Sequence, residues 1–419
     1  MPKIFVEGGV PLMGKVRIKG AKNACLPMMA ASLLTTENVV LKEVPDLKDV
    51  RTMLQLLRYL GTEVYHDRRG ERVFLNSRKL TTCMAPYSLV RRMRASFLVM
   101  GPLLARMGCS RISRPGGCAI GTRPIDLHLK GFVAMGTRFR MGHGYIEART
   151  NGLQGKTIYL DYPSVGATEN ILMAAVLAQG TTFIENAAAE PEIVDLANFL
   201  NSIGAKIYGA GTSIIRIEGV NTLGGGSYTV IPDRIEAGTF MIAAAITGGD
   251  IVLDNVIPHH LTAVISKLEE TGCLLTELGK GSLRVQANGR PLAVDLKTLP
   301  YPGFPTDLQP QFMALLSLAR GTSVITETVF EKRFLHVEEL ARMGAGIRIE
   351  ERSAIITGRH ALHGAAVRAE DLRGGAALVL AALAAGGSSE IRGINHILRG
   401  YSHLVGRLRR LGGRIFIIS

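Results

Sequence analysis

The sequence predicts an α/β protein made of six copies of one small unit, with helices at the centre of each of two domains and sheets outside. Three observations carry that prediction. An amphipathic helix that ends in glycine and runs into a strand recurs six times; each copy is accompanied by a second helix, apolar on almost every face; and 419 residues are too many for one ordinary core.

The glycine phrase occupies residues 57–64, 132–139, 200–207, 268–275, 340–347 and 408–415, and its glycines, Gly61, Gly136, Gly204, Gly272, Gly344 and Gly412, recur about every 70 residues. Glycine just past a helix is the expected left-handed terminator. A small-residue turn and a strand precede the phrase, as in 180–184, 249–253 and 321–325. The apolar helices are read at 24–34, 95–105, 170–178, 240–246, 311–319 and 376–385. A helix apolar all round must be buried all round, so these are assigned to the domain centres and the sheets to the outside.

The N-terminal segment, residues 4–20, resembles the strand pair that elsewhere precedes an apolar helix, as a comparison of residues 12–18 with 362–368 shows. That implies a permuted ring in which the first residues complete the last unit. One domain is then expected from residues 1–21 plus 232–419, the other from 22–231 with the Cys118 loop. The chain would cross between them twice, near Ala21 and near Ile231, and such crossings make a natural hinge.

Composition excludes several classes. The chain is 47% apolar with no tryptophan, as suits a packed protein, and the apolar run 376–385 is far short of the roughly 18 to 20 residues that span a bilayer. No signal peptide is read at the start, so a cytoplasmic protein without membrane insertion is expected. Five cysteines, Cys25, Cys83, Cys109, Cys118 and Cys273, show no CxxC spacing, which argues against disulfides and zinc. The formal charge of +14 favours anionic partners. The basic runs 91–94 and 407–410 are short and lack interleaved aromatics, so small anions are preferred to nucleic acid.

Equivalent positions of the six units collect polar residues. At the starts of the apolar helices stand Lys22 and Asn23, Arg94, Thr168, Glu236, Asp307, and Asp371 with Arg373. Capping explains Asp, Asn and Thr here, and for Thr168 it is the preferred reading. Lys22 and Arg94 differ: a cation at a helix N-terminus is unfavourable unless an anion joins it. At the starts of the amphipathic helices stand Lys48, Arg123, Glu190, His259 or His260, Arg333 and Arg399. Asp307 is a carboxylate among these cations and can serve as a base at a hydroxyl, although capping explains it equally well. The loop 114–124 sets Cys118 among glycines, with Arg114 and Arg123 near enough in sequence to favour a thiolate. No phosphate-binding glycine loop, dinucleotide fingerprint, metal-spaced histidine cluster or Ser-His-Asp pattern appears.

Lys22-Asn23, Met93-Arg94-Ala95-Ser96, Pro115-Gly116-Gly117-Cys118, Arg123-Pro124-Ile125-Asp126-Leu127, Ser164-Val165-Gly166-Ala167-Thr168, Pro232-Asp233-Arg234-Ile235-Glu236, Phe304-Pro305-Thr306-Asp307 and Asp371-Leu372-Arg373 together resemble the UDP-N-acetylglucosamine 1-carboxyvinyltransferases, enolpyruvyl transferases of the EPSP synthase superfamily. The resemblance runs end to end. It implies two inside-out α/β domains of three repeats each, closing on substrate. It also implies transfer of the enolpyruvyl group of phosphoenolpyruvate to the 3′-hydroxyl of the UDP-sugar, the first committed step of peptidoglycan synthesis, with no metal, no cofactor and no obligate protein partner. By resemblance Cys118 delivers a proton and can form a covalent adduct, and Asp307 takes the sugar proton. Lys22, Asn23, Arg123, Arg333, Asp371, Arg373 and Arg399 would meet phosphoenolpyruvate, with Lys22 and Arg399 counted among the catalytic groups. Arg94, Arg123, Pro124, Ile125, Asp126, Leu127, Ser164, Val165, Asp307 and Val329 would meet the UDP-sugar.

One departure is Tyr162-Pro163, where some members carry a lysine at the first position, which removes one cation from the expected nucleotide contact. Alternatives are the sister reaction on shikimate 3-phosphate, which the cysteine loop argues against, a noncatalytic sugar-nucleotide-binding relative, and an RNA-acting relative of the repeat fold.

Overall fold

The computed structural model describes residues 2–113, 120–121, 125–142 and 144–418; Cys118, Arg123 and Pro124, all named above, lie outside the described residues. The chain divides into two compact units, one holding residues 20–113 and 125–231, the other residues 2–19 and 232–418 together with Ile120 and Gly121. Each has its own apolar core.

At the centre of the first unit lie helices α1 (Lys22–Ala31), α2 (Met100–Met107) and α3 (Val165–Ala175), and in the second α4 (Arg234–Thr247), α5 (Gln309–Leu316) and α6 (Leu372–Ala384). Their sequences explain the placement. In α6, Arg373 to Leu383 is buried without a break, so no face is left for water. The reading of one continuous helix over 95–105 needs correction: Arg94–Val99 is a 3-10 helix and the α-helix begins at Met100, next to Pro102 in its first turn.

Six four-stranded sheets are found among the described residues, three to each unit. All share one pattern, in which the first strand runs parallel to the second and the remaining neighbours are antiparallel, as for Thr157–Tyr159, Thr181–Glu185, Ile214–Glu218 and Lys206–Tyr208. One face is apolar and buried and the other faces water: Ile215 and Ile217 are buried while Arg216 between them is exposed. The N-terminal strand β1 (Lys3–Glu7) is flanked by Ser388–Arg392 and Arg414–Ile418, so the first residues complete the sixth unit. Strand β2 (Met13–Arg17) pairs with Asp250–Asp254 of its own unit before the chain passes to α1. The return is the counterpart: Gly226–Thr229 pairs with Asn38–Lys42 before the chain passes to α4.

The six repeat glycines close the amphipathic helices with φ between 93° and 109°, a region where a side chain is strained. A glycine also brings one site element close. A Cβ on Gly238 of α4 would lie 2.3 Å from Leu308 Cδ1, so a side chain there would force Leu308, at the end of the 3-10 turn Thr306–Leu308, to shift. No helix among the described residues is long and apolar enough to cross a membrane.

Candidate functional site

In the second unit the turn Thr306–Leu308 presents Asp307 to two arginines. Arg333 donates through Nη2 to Oδ1 at 2.8 Å, and Arg373 donates through Nε and Nη2 to Oδ2 at 3.2 and 2.9 Å. Both arginine side chains are almost fully buried, whereas Asp307 is about one quarter exposed. Burial alone would push the Arg373 pKa down, but the Asp307 charge beside it prevails and the net shift is upward. The capping alternative for Asp307 fails, because the N-cap of its turn is Pro305, which makes no side-chain cap.

Arg373 sits in the first turn of α6, whose cap is Asp371; Oδ1 of that residue accepts from the backbone N–H groups of Arg373 and Gly374 at 2.8 and 3.1 Å. Its guanidinium lies 5.4 Å from the centroid of the buried Tyr401 ring. Tyr401 is fixed in turn: its hydroxyl accepts from Gln311 Nε2 at 3.1 Å and is hydrogen-bonded to Thr239 Oγ1 at 2.9 Å. Arg333 Nε and Arg373 Nη1 are buried N–H donors with no acceptor among the described residues. Native interiors rarely leave such donors unmet. His336, two residues before Glu338, is also wholly buried, and desolvation lowers its pKa to about 4 although Asp371 opposes the shift. Arg399 follows the short helix Ile394–Ile397 and is half-buried, as is Val329.

In the first unit Lys22 opens α1, with no side-chain cap on Ala21 and no acidic residue in the first turn. Its ammonium is paired with Asp49 at 3.4 Å, and both side chains are nearly buried. The neighbouring Lys48, expected from the sequence, is exposed, whereas Asp49 is buried. Only the register of the helix Lys48–Leu60 on α1 separates the two. Asn23 is exposed.

Arg94 starts the 3-10 helix Arg94–Val99, which packs on both α1 and α3. Its charge reaches His128, whose pKa is lowered to about 3, by burial first and by Arg94 second. His128 Nδ1 lies 3.2 Å from Asn170 Nδ2, and Asn170 also donates to the Phe97 carbonyl at 3.0 Å and accepts from the Gly101 N–H at 2.8 Å. The histidine rides on the helix Asp126–Ala134, capped at Ile125, and its ring lies about 3.4 Å from where a Cβ on Gly166 would be. Arg94 and Gly166 thus come near one buried imidazole, which shares its helix with Asp126 and Leu127. Neither His128 nor Asn170 was signalled by motif, since both look like ordinary core polar residues. The preferred capping role for Thr168 is corrected: Ser164 caps α3 by accepting from Ala167 N–H at 3.4 Å, whereas Thr168 lies inside the helix and its Oγ1 accepts from Ala188 N–H at 3.1 Å. Glu236 is likewise no cap; Asp233 caps α4, and Glu236 pairs with the buried Arg407. Tyr162 is exposed. No group of three or more His, Cys, Asp or Glu among the described residues is arranged to hold a metal ion.

The family model described as EPSP synthase (3-phosphoshikimate 1-carboxyvinyltransferase) matches residues 6–408. UDP-N-acetylglucosamine 1-carboxyvinyltransferase 2 of Carboxydothermus hydrogenoformans is 60% identical, with both chains covered completely. UDP-N-acetylglucosamine 1-carboxyvinyltransferase 1 of Caldanaerobacter subterraneus subsp. tengcongensis is 59% identical, with 99% of each chain covered. Among solved structures, the enolpyruvyl transferase NikO from Streptomyces tendae superposes with a TM-score of 0.91 at 26% identity, over 99% of this chain and 98% of that one. EPSP synthase from Acinetobacter baumannii superposes with a TM-score of 0.77 at 20% identity over the whole of both chains, a likeness of fold.

Proposed function

Because the chain belongs to the EPSP synthase family, we propose that it transfers the enolpyruvyl group of phosphoenolpyruvate to the 3′-hydroxyl of UDP-N-acetylglucosamine, releasing phosphate, as a cytoplasmic step of peptidoglycan synthesis. The observation that carries this reading is full-length identity of 57 to 60% to three proteins that all bear that acceptor in their names. The family model's own description names the shikimate 3-phosphate reaction, which makes that acceptor the second reading.

The chemistry fits the residues. The sugar hydroxyl adds to C2 of phosphoenolpyruvate while a proton leaves its oxygen and another arrives at C3; phosphate then departs from the tetrahedral ketal as C3 gives a proton back. Asp307 is assigned the hydroxyl proton and Cys118 the C3 proton. Both Asp307 oxygens are engaged by guanidiniums, and a carboxylate so held is a poor base. An incoming phosphate or carboxylate would compete for Arg333 and Arg373, use their spare N–H groups, and release Asp307 toward the hydroxyl. Substrate binding and base activation are then one event.

Lys22, Asn23, Arg123, Arg399, Arg333, Arg373 and Asp371 are assigned to phosphoenolpyruvate, with Asp371 acting by fixing the first turn of α6. Charge that builds on the departing phosphate is met by cations already in place, which costs no reorganisation during the reaction. Arg94, Arg123, Pro124, Ile125, Asp126, Leu127, Ser164, Val165, Asp307 and Val329 are assigned to the UDP-sugar. The test is phosphate release from phosphoenolpyruvate with each acceptor in turn. Release with UDP-N-acetylglucosamine supports the reading, and release with shikimate 3-phosphate alone replaces it with the second.

A further inference from the structure

Glu327 is 1% exposed and every one of its oxygens is used. Oε1 accepts from the Thr298 hydroxyl at 2.9 Å and from the backbone N–H groups of Val329 and Phe330 at 2.8 and 3.1 Å. Oε2 accepts from the Thr306 hydroxyl at 2.9 Å. Thr306 is the residue immediately before Asp307, and Val329 and Phe330 begin the segment that leads to Arg333. The circuit therefore closes on itself: Glu327 joins the two segments at one point, and the ion pair from Arg333 Nη2 to Asp307 Oδ1 joins them at another.

From this circuit we infer that Glu327 is a positioning residue for the transfer reaction, acting through Thr306 to set where the Asp307 carboxylate stands relative to Arg333. The inference rests on the reading of Asp307 as the base given above. Two of the four bonds go to backbone N–H groups, so the carboxylate also shapes the turn that delivers Val329. A buried carboxylate is costly unless its lone pairs are met, and here four donors meet them. The pair Asp307–Arg333 has a second purchase at Arg373, yet among the described residues no other hydrogen bond holds the Thr306 side chain. Loss of the Thr306 bond would uncouple the turn that carries the base from the segment that leads to Arg333. A base that drifts by about 1 Å can lose roughly a hundredfold in rate.

Thr306→Val removes that bond while keeping the shape of the side chain and leaving the other three bonds of Glu327 intact. We expect kcat to fall about tenfold or more, with KM for phosphoenolpyruvate and for UDP-N-acetylglucosamine changed less than about threefold. Thr306→Ser restores the hydroxyl and should return kcat to within about threefold of the parent. Glu327→Gln should lower kcat in the parent, and in the Thr306→Val background its added effect should be smaller than in the parent, since the Thr306 bond is common to both changes. Unfolding midpoints of all variants, measured alongside, exclude simple loss of folded protein. A Thr306→Val enzyme with parental kcat, or a serine variant as impaired as the valine one, overturns the inference. If the parent itself releases no phosphate, the assignment of the reaction fails, and the tether is read from the crystal structure of Thr306→Val alone. Movement of the Asp307 carboxylate by more than about 0.5 Å then supports it, and an unmoved carboxylate overturns it.

Discussion

Arg373 donates twice to a single oxygen of Asp307, through Nε at 3.2 Å and Nη2 at 2.9 Å, and leaves Nη1 buried with no acceptor among the described residues. Two of the three guanidinium nitrogens are thus committed to the carboxylate. Arg333 repeats the arrangement from the other side, with Nη2 on Asp307 and Nε unmet.

Asp307→Asn keeps the size of the side chain and removes its charge and basicity. Turnover should fall by at least about a hundredfold, the usual loss on removing a general base. Asp307→Ala should in addition cost roughly 3 kcal/mol of stability in urea unfolding, because two buried guanidiniums lose their counter-charge. An alanine variant as stable as the parent would show that the arginines find other partners.

His128 gives stability a pH dependence whose sign follows from its shift. Its folded pKa, about 3, lies below the ordinary value of about 6.5, so below pH 6.5 the unfolded chain takes up a proton that the fold refuses. Stability should be fully present above pH 6.5 and decline as pH falls toward 3, with His128 contributing roughly 2 kcal/mol of the loss by pH 5. His336, at about 4, acts in the same direction. Asp195 opposes them: burial raises it to about 6, so its contribution is lost as pH rises from its unfolded value toward 6. His128→Gln should flatten the fall in unfolding free energy between pH 7 and pH 5. An unchanged slope would contradict the assignment to His128.

Cys118 carries the proton-donor role by resemblance. Fosfomycin, a thiol-alkylating mimic of phosphoenolpyruvate, should add once to the intact protein, and peptide mass spectrometry should find the adduct at Cys118. Cys118→Ala should resist it and be badly impaired in turnover. An unmodified Cys118 after such treatment would count heavily against that role.

The sixfold repeat was legible because glycine terminators and all-apolar helices are local signals, and a strand pair duplicated at the start of the chain betrays the ring that β1 completes. Asp307, Arg333 and Arg373 were legible as charges at repeated helix starts, and the structure brings those three together. Glu327, Asp49 and Tyr401 were not. Each matters through what tertiary packing places opposite it: Glu327 through Thr306, Asp49 through Lys22, and Tyr401 through Thr239, Gln311 and Arg373. Thr168 stands four residues past Ser164, the true cap of α3, where a buried threonine imitates a cap.

The central claim is the identity of the acceptor, and the direct measurement is inorganic phosphate released from phosphoenolpyruvate in parallel reactions with UDP-N-acetylglucosamine and with shikimate 3-phosphate. Stoichiometric release with the UDP-sugar and none with shikimate 3-phosphate is the predicted result. Release with shikimate 3-phosphate alone, or with neither acceptor, would contradict it.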